Sequence, residues 1–210
     1  MPVLLSKARE RDARVRGLRR FSIVRVRRDE NGATAIEFAL LAIPFFLLIF
    51  AIIETCIAFA AEQTLNFAVD KIGRELRTGQ ITFNTGDSTD ITEEQFKLRL
   101  CNEVSIMFTC GPDTDSRLFF DLQSYNDFAS IPTNVPLSGG TLDTSSFDFD
   151  PGGPSTINVL RAYYAWKVTA DLFRPYIANV RISGSSEENH YLIVATTAYR
   201  NEAYPTTGGS

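Results

Sequence analysis

A single histidine, His190, stands in the 210-residue chain, with one tryptophan, two methionines and three cysteines. One histidine in a polar turn offers no second ligand for a metal and no partner for acid–base work. Three signatures are missing: the glycine-rich phosphate loop, the C-x-x-C pair and the H-E-x-x-H helix. Carboxylates pair only by count, with no implied cleft. The acidic stretches Asp87–Asp90 (DSTD) and Phe147–Gly153 (FDFDPGG) carry oxygens of the calcium-binding kind, and solvated loops account for them equally well. The chain therefore reads as a non-enzyme. No residue is assigned to catalysis, cofactor binding or a metal, and no cofactor is expected.

Positive charge is scarce after residue 30. The net charge of −4 hides a split. Residues 1–30 hold ten Lys/Arg against four acids, and the remainder holds 11 against 21. A basic arm can serve nucleic acid, but nothing here would present it to a groove. The arm abuts an apolar run, and the positive-inside rule then keeps it cytoplasmic and sends the acidic part across. It reads as a charged leader drawn to anionic headgroups.

The apolar run is Asn31–Ala61. Phe38–Ala60 is 23 residues with Glu54 as its one carboxylate, and about 20 apolar residues cross a bilayer core. Its fourteen Leu, Ile and Phe favour insertion by about 6 kcal/mol, against about 3 kcal/mol lost to a central acid. Ala58-Phe59-Ala60 has the form of a signal-peptidase site, but a secretory apolar region is shorter, about 7–15 residues. Helical patterning also continues beyond it. Leu65, Val69, Ile72 and Leu76 make one stripe, so a single helix of about 45 residues, roughly 67 Å, is predicted over Ala33–Arg77. Gly73 is its weak point, and Gly79 follows as a C-terminal stop.

The exported part then reads as follows. Residues 80–91 are turns. Thr92 and Gln95 form a capping box for a helix reaching Ile106. Strands are predicted at Arg117–Tyr125, Ile157–Asp171 and Tyr191–Tyr199. Residues 126–156 read as a long loop, 172–182 are ambiguous around Pro175, 183–189 are a polar turn, and the tail from Pro205 is disordered. The fold class is α+β: a long N-terminal transmembrane and amphipathic helix packed on a small antiparallel sheet. The expected domains are a basic leader (1–32), a membrane segment (33–61) and an exported αβ domain (62–210). Disulfides persist in an exported domain, so Cys101 and Cys110 are expected to be bridged, the alternative being two buried thiols.

Gly32 followed by ATAIEF, an apolar run broken by Pro44, then IIE and a continuing amphipathic helix resembles the TadE-like pseudopilins of tight-adherence (Flp-type) pilus systems. The resemblance is close over Asn31–Arg77. The ending Ala198–Tyr204 (AYRNEAY) also resembles that family's C-terminal end, except that alanine stands at Ala203 where proline is expected. The middle of the chain is matched only loosely. The resemblance implies cleavage between Gly32 and Ala33 by a membrane-bound prepilin peptidase. It also implies assembly roles for Glu37, Phe38 and Pro44. The partners implied are the inner membrane, that peptidase, other pilins and pseudopilins and the assembly platform, with no nucleic acid. The chain would sit in the bacterial inner membrane as a single-pass protein, N-terminus inside and C-terminal domain periplasmic. It would act as a minor pseudopilin, in the fibre or in its priming complex. The other reading is an uncleaved single-pass envelope protein tethering a periplasmic binding domain.

Overall fold

The computed structural model of the chain describes residues 30–110, 117–168, 174–178, 180–182 and 189–205. The basic leader before Glu30, the Gly111-Pro112 break, the 183–188 turn and the tail after Pro205 lie outside the described residues. The chain divides into two units after Ile49.

Helix α1 spans Glu30–Arg77 without interruption. In the second unit its apolar stripe is the floor of the core. Leu65, Ala68, Val69 and Ile72 have no exposed surface, and Leu76 has almost none. Burying each large member is worth about 1.5–3 kcal/mol. Gly73 lies on the same face. A β-carbon there would meet Thr197 Cγ2 at 2.6 Å, so the glycine that weakens the helix in isolation is what lets it approach the sheet.

The helix ends in a Schellman motif. Gly79 takes φ +72°. Its N–H donates to the Leu76 carbonyl at 3.1 Å, and the Gln80 N–H donates to the Glu75 carbonyl at 2.9 Å. Only glycine adopts that φ freely.

Helix α2, Glu93–Val104, begins at the expected capping box. The Gln95 N–H donates to Thr92 Oγ1 at 3.2 Å, and the Thr92 N–H donates to Gln95 Oε1 at 2.9 Å. Phe96, Leu100, Cys101 and Val104 face the core. Lys71–Glu103 (2.6 Å) and Arg99–Glu75 (2.9 Å) tie α2 to α1. Both pairs are partly exposed and contribute about 0–1 kcal/mol each. Cys101 and Cys110 are joined in a disulfide with Cα atoms 5.8 Å apart. In the chain-entropy picture a loop this short gains about 2–3 kcal/mol.

The main sheet is antiparallel, in the order β1 (Leu118–Tyr125), β4 (Ile157–Trp166), β6 (Tyr191–Arg200). Leu122 faces Leu160 and Phe120 faces Ala162, while Ala162 faces Ala195 and Tyr164 faces Ile193. Period-2 alternation puts these residues on α1 and α2. The other set, including Phe119, Tyr163 and Val194, packs under Leu142, Phe147 and Val180. The Phe147 and Tyr163 rings stack at 5.0 Å.

Two readings of the sequence need correcting. The stretch 126–156 is not all loop. It holds a 3-10 turn at Phe128–Ser130, and β2 (Leu137–Ser138) pairs with β3 (Thr141–Leu142). Gly139 and Gly140, both at positive φ, make the two-residue hairpin turn. β3 then pairs in parallel with β5 (Arg181–Ile182), which gives the sheet a second cover. β4 stops at Trp166 rather than Asp171, because its partner β6 begins opposite it at Tyr191. The ambiguous stretch holds helix α3, Arg174–Ile177, ahead of β5.

Candidate functional site

Among the described residues of the first unit, the candidate surface is the apolar start of α1. Phe38 is 71% exposed, and Ile36, Leu40, Leu41, Ile43 and Phe45 are each more than half exposed. The helix is long and apolar enough to cross a membrane, and its apolar stretch is not buried. In water such a surface is prohibitive; in lipid it is the expected one. Two hydroxyls of α1 bond back to the helix: Thr55 donates to the Ala51 carbonyl at 2.8 Å and Thr64 to the Ala60 carbonyl at 2.9 Å. Each thereby stays satisfied in an apolar medium.

Gly32 and Ala33 lie in the first turn of α1 as it begins at Glu30. Glu37 is exposed one turn on. Pro44 follows seven residues later, close to the same face of the helix. It withdraws the donor that would reach the Leu40 carbonyl, yet α1 runs through it. Glu37, Phe38 and Pro44 therefore share one helix. The disulfide Cys101–Cys110 belongs to the folded domain and serves its stability.

The carboxylates considered for calcium are occupied otherwise. Asp90 accepts from Thr82 and Thr85 hydroxyls, each at 2.7 Å, and from the Thr85 and Gly86 amides at 2.9 and 2.8 Å. These bonds, the Thr85 hydroxyl foremost, hold its carboxyl below the usual 3.8. Asp150 accepts from Ser124 Oγ at 2.6 Å and from the Gly152 N–H. Among the described residues no group of three or more His, Cys, Asp and Glu is placed to hold a metal.

At the other end of the span, in the second unit, a groove of about 230 Å³ opens beside α1. Glu54, Ala58, Phe59 and Glu62 form its helical wall, and Trp166, Val168, Ile177 and Tyr191 form the opposite one. Reading by motif misses this groove, because its walls are more than 100 residues apart. The one available signal was the sole tryptophan at a strand end.

The C-terminal segment closes over the end of α1. The Glu202 N–H donates to the Arg77 carbonyl at 2.9 Å, and the Glu202 carboxylate reaches Arg77 at 3.5 Å. Asn201 Nδ2 donates to the Gly153 carbonyl at 2.9 Å and to Tyr204 Oη at 3.1 Å. Tyr204 packs on Gly79.

An exposed apolar helix opens with Gly-x-x-x-x-Glu-Phe, and the chain continues into a folded αβ unit. Residues 32–74 match the family of TadE-like proteins. This TadE-like segment takes in Gly32, Glu37, Phe38, Pro44 and Glu54, and it ends one residue past Gly73. Among curated proteins and solved structures there is no match. The α+β domain that follows the TadE-like segment is thus described by its own geometry. That geometry gives the AYRNEAY ending a role in locking the helix terminus.

Proposed function

We propose that the chain is a minor pseudopilin of a tight-adherence pilus, cut after Gly32 by a prepilin peptidase. The observation that carries the reading is the TadE-like segment, in which Gly32 and Glu37 open a lipid-ready helix. Glycine at the cut position allows the peptidase close access to the backbone. Cleavage frees an α-amino group at Ala33, one helical turn from Glu37. A charged amine near a carboxylate offsets the desolvation of both in lipid. Phe38 and the residues around Pro44 give the packing surface for neighbouring subunits. The basic leader holds the N-terminus inside, and the disulfide-bonded domain meets its partners in the periplasm.

The test is the mature N-terminus. Intact-mass and N-terminal peptide analysis of protein purified from membranes should find a chain beginning at Ala33. Retention of residues 1–32 in cells that carry an active prepilin peptidase would sink the reading and leave the uncleaved envelope tether.

A further inference from the structure

The groove beside Glu54 and Glu62 is not used by the pilus reading. Its wall residues Ala58 and Phe59 belong to the last apolar turns of α1, where Phe50, Ile52, Ile53 and Ile57 are exposed alongside Phe59. Twenty residues counted from Phe38 reach Ile57, so the groove stands where the hydrocarbon gives way to headgroups. Its far wall has the composition of that boundary. Trp166 and Tyr191 line it, and amphipathic rings of this kind concentrate at membrane interfaces. The Trp166 indole Nε1 is buried and has no hydrogen-bond partner among the described residues. Ile177, 42% exposed, belongs to the groove, and its neighbour Tyr176 is 85% exposed.

We infer that this groove seats an outer-leaflet phospholipid whose headgroup carries an ammonium, a phosphatidylethanolamine by class. The inference rests on α1 crossing a membrane. The acyl chain lies on Ala58, Phe59, Val168 and Ile177. The headgroup sits on the water side, where Glu62 presents a carboxylate one turn past Ala58. An anionic headgroup would be repelled there. A symmetric second copy would set Glu62 of one chain against Glu62 of the other, and like charges juxtaposed in an interface are unfavourable.

Trp166, the sole tryptophan, reports on the groove directly. The full chain is reconstituted in nanodiscs at one copy per disc. The discs contain equal fractions of phosphatidylethanolamine and phosphatidylglycerol, with bromine on the acyl chains of one or the other. Brominated phosphatidylethanolamine is expected to quench Trp166 about 1.5- to 5-fold more than brominated phosphatidylglycerol, the factor that a solvent-accessible ion pair gives. Glu62→Gln should abolish that preference while near-ultraviolet circular dichroism stays unchanged. Equal quenching by the two lipids means ordinary annular contact and overturns the assignment. So does absence of quenching by either, or protection that appears only when two copies share a disc, which makes the occupant a second chain. Urea extraction separates the two levels of the reading. Protein that resists extraction but shows no preference loses the groove assignment alone, whereas protein that washes off loses the span as well.

Discussion

The ring of Tyr204 lies so close over Gly79 that a β-carbon on the glycine would stand 2.6 Å from it. Gly79 also closes α1 at φ +72°. One position thus carries two demands, a left-handed backbone and a bare face. Gly79→Ala is expected to destabilise the domain by about 2–5 kcal/mol, the sum of the left-handed strain and overpacking. Tyr204→Ala should relieve the overpacking share only. Urea unfolding of the full chain in detergent, followed by near-ultraviolet circular dichroism, measures both.

Gly73 and Thr197 form a second contact of the same kind, with the missing β-carbon 2.6 Å from Thr197 Cγ2. Gly73→Ala gains about 1 kcal/mol of helix propensity and loses about 1–3 kcal/mol to overpacking. It should therefore destabilise in the wild-type background and stabilise once Thr197→Ser removes the methyl. A double-mutant cycle should return a coupling of at least about 0.5 kcal/mol. Additive effects would mean that the helix and β6 are not in contact here.

The turn at Thr82–Asp90 should be sensitive to acid. The hydroxyls of Thr85 and Thr82 lower the Asp90 carboxyl below its usual 3.8. A group depressed in the folded state contributes stability that is present above 3.8 and is lost as the pH falls through its lower folded value. A carboxyl carbon titration of Asp90 by NMR should give a midpoint under 3.8. Asp90→Asn should flatten the acid limb of the unfolding midpoint relative to wild type, with little change in its pH dependence above pH 5.

Glu37 is exposed on α1, in the segment ascribed to membrane and assembly. Glu37→Ala is expected to abolish or sharply reduce surface pili while the protein still resists urea extraction from membranes. Removing an acid only makes insertion easier. Normal piliation in the mutant would take the assembly role away from Glu37.

Much of the fold follows from local chemistry. Ionic asymmetry, an unbroken apolar run and the stripe Leu65, Val69, Ile72, Leu76 are enough to write α1. The pair Thr92 and Gln95 is enough to start α2. Runs of aromatic and β-branched residues are enough for the three long strands. The short strands were illegible for the converse reason. β2, β3 and β5 have two residues each, too few for any period, and β3 and β5 pair across about 40 positions. The limit of β4 was equally hidden, since Lys167 and Val168 are as strand-like as what precedes them and only the start of β6 ends the ladder.

The sequence by itself determined the apolar half of α1. Gly32, Glu37, Phe38 and Pro44 sit on one helix, so their order along the chain is already their order along its axis. The tertiary structure alone decided what depends on distant segments. It showed Gly73 to be a contact rather than a weakness. It brought Glu202 to the carbonyl of Arg77, and it gave Glu54 a place on a groove wall opposite Trp166. No local periodicity encodes those meetings, because they arise only when the sheet folds down on the helix.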